Sequence, residues 1–325
     1  MAGGKKAKRK RRSQPPPPKP QPRFPRELLL FAVLAVIGLI AAGVLLWQRD
    51  DGAEPLSEAA EPVSSFPVRD PGPVHVHGLG VNPADDALFI ATHTGLYRVD
   101  DGQRKAERVG DRLQDTMGFT IVGPDRFLGS GHPDLEEARE KNLPPHLGLI
   151  ESTDKGESWR SISLSGEADF HVLRFIGARV YGYDASNDRL LVSGDRGRSW
   201  NELEKPGQIV DLAVDPSDDR RILVASAGGL EEGLFESRDG GASWKRVSQA
   251  IGLLAWPDRL YLIAASGQVF VSADGGRRLE QQGDIGGQPA ALVAEGPDEL
   301  YAALHDGTIK RSTDGGASWK VRSTP

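Results

Sequence analysis

Apolar positions divide the chain into two regimes. From Leu28 to Trp47 twenty consecutive residues carry no charge (LLLFAVLAVIGLIAAGVLLW). As a helix rising about 1.5 Å per residue, such a run spans the roughly 30 Å hydrocarbon core of a bilayer. Past residue 73 the apolar runs shorten to strand length and alternate with Gly, Asp, Asn and Pro. Residues 171–205 show the pattern plainly, as HVLRFIG, RVYGYD, RLLVSGD and SWNELEK. The same four-run unit recurs downstream: QIVDLAVDP through WKRVSQ, LLAW through LEQQG, and AALVAEG through WKVRSTP. Upstream it appears as MGFTIVGP, RFLGSGHP, LGLIESTD and SWRSISL, and before that as HGLGVNP, ALFIATH and GLYRVD with a run near Arg108. Six units across 73–325 average about 42 residues, the length of a four-stranded propeller blade. The pattern predicts an all-β, six-bladed β-propeller preceded by a single transmembrane helix.

A motif marks five of the six units. It reads Ser-x-Asp-x-Gly-x-x-Trp at Ser152, Asp154, Gly156 and Trp159; at Ser193, Asp195, Gly197 and Trp200; at Ser237, Asp239, Gly241 and Trp244; and at Ser312, Asp314, Gly316 and Trp319. The copy at Ser272, Asp274 and Gly276 has Leu279 in the tryptophan slot. Successive serines stand 41, 44, 35 and 40 residues apart, which is blade spacing. The residue types suit a tight turn. Asp accepts backbone N–H groups, Gly adopts φ > 0, and Trp wedges apolar surface against a neighbouring strand.

Charge sharpens the domain boundaries. Residues 1–26 hold ten Lys/Arg and no acid, whereas the whole chain is −6, so the body is strongly acidic. An acidic body repels a phosphate backbone, which argues against a nucleic-acid partner. With basic residues before the apolar run and Asp50-Asp51 after it, the positive-inside bias places the tail in the cytoplasm and the body outside. A cleaved signal peptide is the competing reading, but its apolar region would be about 7–15 residues with small residues at the cleavage site. The expected organisation is a basic, Pro-rich tail over 1–26, an anchor over 27–48, an acidic Pro/Ser/Ala stalk over 49–72, and the propeller over 73–325. No cysteine is present, so thiolate chemistry and disulfides are excluded.

Superposing the units by their motifs aligns equivalent positions. The start of the first strand reads His77, Met117, His171, Val210, Gly252 and Ala290; the end of the second reads His93, His132, Asp184, Ala227, Ser266 and His305. In a propeller both sets face the same end of the central channel. The predicted site is therefore a metal centre at the channel mouth formed by His77, His93, His132 and His171. The Met117 thioether would favour copper over a hard cation. Asp115, Asp169 or Asp184 would orient a ligating ring. The same histidines are also compatible with hydrogen-bonding loops at strand ends or binding an organic ligand. His75 is set aside because strand alternation should point it away from His77. An insertion over Asp134–Pro145 has the charge pattern of a short solvated helix, ended by Pro144-Pro145.

The five motifs resemble the Asp-box, or BNR, repeat, and the chain is similar over about 74–325 to the Asp-box propellers. Those include sialidases, sortilin-type receptor ectodomains and photosystem-assembly propellers. It looks most like bacterial membrane-anchored propellers labelled as sialidase-like glycosyl hydrolases. The resemblance implies that the boxes lie between the third and fourth strands of each blade, away from the ligand face, and have no catalytic role. It also raises glycoside hydrolysis as an activity. Sialidase chemistry, however, needs an arginine triad and a Phe-Arg-Ile-Pro-like opening that this sequence lacks; Arg174 is the nearest arginine to such a slot. The resulting expectation is an extracytoplasmic, membrane-tethered module that binds a metal ion, a glycan or an envelope protein. Glycosidase and assembly-scaffold roles are the alternatives.

Overall fold

A computed structural model describes residues 72–228 and 231–325. The tail, anchor and stalk expected over 1–26, 27–48 and 49–72 lie outside the described residues, save Gly72. Among the described residues no helix is long and apolar enough to cross a membrane.

Twenty-four strands form six antiparallel sheets of four, each ordered by sequence from the channel outward. The innermost strands are β1 (Val76–Val81), β5 (Asp115–Gly123), β9 (Phe170–Ile176), β13 (Gln208–Asp215), β17 (Gly252–Ala255) and β21 (Pro289–Ala294). These surround one cavity whose lining comes from all six. The chain is thus a six-bladed, four-stranded β-propeller.

Its apolar core is distributed around the ring. One cluster of buried side chains fills each blade junction. Phe89 and Phe127 meet between the first two blades, Leu149 and Phe170 between the second and third, and Tyr181 and Ile222 between the third and fourth. Leu234 and Leu260 fill the next junction, and Ile263 and Leu300 the fifth. Ile90 and Tyr97 pack against Tyr301 and Ile309 where the last blade meets the first. No blade could bury its faces alone, so the ring folds as a unit.

The Ser-x-Asp-x-Gly turns sit between the third and fourth strands. In every copy the glycine N–H donates to the serine Oγ at 2.7–2.9 Å, and that hydroxyl donates to the aspartate Oδ1 at 2.7–2.8 Å. The glycines hold φ between 82° and 95°. They also lie against the preceding blade. A Cβ on Gly197 would come 2.1 Å from Leu149 Cδ2, and Gly156, Gly241 and Gly276 meet Leu96, Leu203 and Leu234 in the same way. Two of the tryptophans also reach the preceding blade, Trp200 donating its Nε1–H to Ser163 and Trp244 to the Glu204 carbonyl, while Trp200 packs 4.9 Å from Phe170 of its own blade.

The first blade has no such turn, and the chain end supplies the closure. Ser323 Oγ donates to the Arg104 carbonyl at 2.7 Å, Arg322 donates to Asp100 O, and Thr324 bridges Lys105 in parallel. The insertion does contain a helix, α1 (Leu135–Lys141), with Asp134 accepting the N–H groups of Glu136 and Glu137. It ends at Asn142 in the left-handed region, before the prolines expected to stop it. Asn tolerates that conformation, so the turn is complete two residues early.

Two outcomes follow. Gly197→Ala combines positive φ with a clash, and should cost roughly 1–3 kcal/mol. Gly102→Ala, also at positive φ (73°) but with nothing within 4 Å of its Cβ, should cost less. Thermal unfolding monitored by circular dichroism compares them; equal melting points would show that the inter-blade contact contributes nothing. The second concerns acid. The Ser243 hydroxyl, then Ser237 and the Ser243 amide, hold Asp239 down to about 2, and the Ser318 hydroxyl does the same for Asp314. Carboxylates depressed from 3.8 in the folded state contribute stability above that value and lose it as pH falls toward 2. The melting temperature should therefore decline between about pH 4 and pH 2, and less steeply in Ser243→Ala/Ser318→Ala.

Candidate functional site at the channel mouth

The first-strand slot has a backbone cause. His77 falls between Val76 and Gly78 where the β1–β2 register shifts, Met117 between Thr116 and Gly118 on β5, and His171 between Phe170 and Val172 on β9. Val210 and Ala290 occupy the same irregularity in their blades. A bulged residue has no ladder partner, and the extra twist re-aims its side chain. Here the bulge turns that side chain into the mouth of a cavity of about 450 Å³, which His77, Met117 and His171 all line.

The histidines separate into two groups. In the first, ligand atoms of His77, His93 and Asp115 lie within 4.8 Å of one another. His93 follows the end of β2 (Leu88–Thr92) and its ring sits 4.3 Å from that of His77 at an 84° tilt. Its Nδ1 lies 2.8 Å from Asp115 Oδ2. That hydrogen bond raises the His93 pKa against the opposing effect of burial. His77 is pushed the other way, down to about 4, by burial and then by His93. It stays neutral at pH 7, so its Nε2, which has no partner, can offer a lone pair.

In the second group, ligand atoms of His132, His146 and Asp169 also lie within 4.8 Å of one another. His132 closes β6 (Arg126–His132), and its Nδ1 donates to the Pro145 carbonyl at 2.9 Å. Its Nε2 faces Asp169 Oδ2, 3.5 Å away. His171 Nε2 lies 2.9 Å from the same oxygen. Burial alone would push the Asp169 carboxyl up, but the His171 hydrogen bond and the neighbouring imidazoles hold it below the usual range. Asp184 is fully buried and acts one step back, accepting the Asp169 N–H at 3.0 Å while Ser186, Asn187 and Arg189 satisfy its other lone pairs.

The four histidines singled out in the sequence thus share one mouth but divide between two groups, with His171 as the partner of Asp169. Met117 lines the cavity beside them. His305 belongs to neither group. His75 lies near the first group: it precedes β1 with φ 54°, so strand alternation does not apply to it, and its ring is 5.4 Å from His93. His146 was not singled out. It lies on the return of the α1 insertion, and Leu147 N–H donates to Gly131 O, which brings the two ends of the excursion together. His132-Pro133 and Pro145-His146 bracket that insertion in the sequence, and this was the available signal.

Below the mouth the channel wall is largely apolar. Asp211, its one carboxylate among the described lining residues, accepts Arg174 at 2.5 Å and the N–H groups of Leu212 and Leu254 at 2.8 Å.

No protein-family model matches the chain. A xyloglucanase from Paenibacillus sp is 26% identical over 159 residues, which cover 44% of this chain and 14% of that protein. The chain therefore spans a small part of that relative's length. Among solved structures, the Niastella koreensis GH74 enzyme superposes with a TM-score of 0.56 at 14% identity, over 77% of this chain and 45% of that one. A chain of the nidogen/laminin complex gives 0.58 at 13% identity, over 74% and 93% respectively. At these identities the likeness establishes the propeller fold.

In the metal-free protein, Asp115→Asn removes the charged acceptor of His93. The His93 titration followed by NMR should move to lower pH. An unmoved His93 would mean that the pair does not form in solution.

Proposed function

We propose that this chain is a binding propeller whose working face is the histidine-bearing mouth of the channel, and that its ligand there is a transition-metal ion, copper first. One observation carries the reading. Six imidazole and carboxylate side chains converge at one mouth, and His77 Nε2, Asp115 Oδ1, His146 Nδ1 and Asp169 Oδ1 are buried without a hydrogen-bond partner. Buried polar atoms are ordinarily satisfied. Four orphans in two His/His/Asp groups fit a site whose missing partner is a cation. Neutral imidazoles with a carboxylate suit Cu(II) and Zn(II), and the nearby Met117 thioether would add affinity for Cu(I). The apolar run Leu28–Trp47 supports a tether that holds this face outside the cytoplasm, where the Asp-box turns would occupy the opposite, structural end.

Glycoside hydrolysis is the second reading, favoured by the similarity to xyloglucanases. It requires two carboxyl groups flanking a sugar. Within the channel Asp211 stands without a second carboxylate and is committed to Arg174, which favours binding over turnover there.

The test uses purified full-length protein, stripped with chelator and dialysed against Cu(I), Cu(II) or Zn(II). Copper should be retained in at least stoichiometric amount, and His132→Ala should weaken retention by about 10-fold or more, the usual scale for loss of one ligand or its support. Failure of the wild-type chain to retain any of the three ions would overturn the metal reading. Release of reducing sugar from xyloglucan, abolished by Asp211→Asn, would place the hydrolase reading ahead.

A further inference from the structure

We infer that the mouth holds two transition-metal ions side by side, one on His77, His93 and Asp115 and one on His132, His146 and Asp169; this rests on the metal reading above and adds its number and arrangement.

The division follows from which atoms are free. In the first group His93 Nδ1 is committed to Asp115 Oδ2, leaving His77 Nε2, Asp115 Oδ1 and the far nitrogen of His93. In the second, His132 Nδ1 is committed to a carbonyl, which only accepts. Its Nε2 then faces the Asp169 carboxylate across 3.5 Å. A cation seated between the two would be held by both. The gap is also close to the span of two ligands on one tetrahedral ion, roughly 3.4 Å for bonds of about 2.0–2.1 Å. His146 Nδ1 and Asp169 Oδ1 complete this group and have no other partner. Asp169 is 5% exposed, so its free oxygen has little access to bulk water.

A single ion cannot satisfy both groups. Asp115 and His132 are direct cross-strand partners on β5 and β6, which puts side chains of the two groups next to each other on one face. The orphaned atoms nevertheless fall on residues of two separate sets. An ion in either set leaves two buried orphans in the other. Each set brings one carboxylate and two imidazoles, so two divalent ions meet matched donor sets of the kind Cu(II) and Zn(II) take. The pairing of Asp115 with His132 keeps the ions on the order of 10 Å apart or less, given a cross-strand Cα spacing of about 5 Å plus the reach of the ligands. His171, bonded to Asp169 and lining the cavity with His77, stands beside both.

The experiment is a metal count on the full-length protein loaded with Cu(II), with electron paramagnetic resonance on the same samples. Two equivalents per chain are expected, with dipolar broadening and a half-field transition from the neighbouring spins. His93→Ala and His146→Ala should each retain one equivalent and lose the dipolar signal. The double variant should retain none, and His305→Ala should retain two. One equivalent in the wild-type chain would overturn the paired arrangement and leave the metal reading standing; none would overturn both. Two equivalents persisting in the double variant would place the copper elsewhere and overturn the assignment. The wild-type count needs no variant to fold, and circular dichroism of each variant shows whether its propeller is intact.

Discussion

The histidine-bearing end of this propeller is held in place by a contact at its other end. In each boxed turn a glycine at positive φ seats its bare α-carbon on an aliphatic side chain of the preceding blade: Gly197 on Leu149, Gly276 on Leu234, Gly156 on Leu96. Any side chain at that glycine would have to occupy the space of a buried methyl group. The serine and aspartate exist to hold the turn that makes this approach possible, one receiving the glycine N–H and the other fixing the hydroxyl. Each of the five boxed blades is thereby set at a fixed angle to the one before it. The six junction cores can close into a ring only if those angles are maintained.

A ring of equivalent blades presents equivalent positions, and function can then be written by changing residues within one slot. The slot is the bulge at the start of the innermost strand. Where it holds Val210 or Ala290 the bulge gives an apolar lining, and where it holds His77 or His171 the same backbone irregularity aims imidazole at the channel mouth. The carboxylates lie beside the slot. Asp115 begins β5, and Asp169 immediately precedes β9, held by Asp184 through its own amide. Among the described residues both His/His/Asp groups lie in the first three blades, whose slots and adjoining turns differ from those of the other three.

This explains what could be read in advance. The boxes count and orient blades because the turn they encode is local: the bonds among its serine, aspartate and glycine span at most four residues, as from Gly197 to Ser193. Superposing on them exposes the histidine slots directly. Two features escaped. His75 escaped because alternation holds only within a strand, and its backbone at φ 54° lies before β1 begins. His146 escaped because nothing periodic marks it; it reaches the mouth by the return path of an insertion, a matter of three-dimensional closure. The closure of the ring is similarly nonlocal. Arg322 and Ser323 meet residues near 100–104 only after the whole circuit is built.

The electrostatics of the mouth support the metal reading proposed above over proton chemistry. A site built to move protons would hold its imidazoles near neutrality in solvent, with carboxylates raised toward the same range. Here the groups divide: the Asp115 hydrogen bond raises His93, whereas His77 and Asp169 move the other way. Burial pushes His77 down to about 4, and Asp169 remains below its usual range despite being buried. Deprotonated nitrogen beside ionised oxygen is the state a cation requires of its ligands. In the proposed reading, groups that are not themselves ligands would support that state: the Pro145 carbonyl on His132, His171 on Asp169, and Asp184 behind the Asp169 backbone. Such support raises the basicity of the donors and fixes their direction. In an ordinary strand-end network those hydrogen bonds would have used up the donors and acceptors of the histidines and aspartates. They instead leave His77 Nε2, Asp115 Oδ1, His146 Nδ1 and Asp169 Oδ1 without a partner.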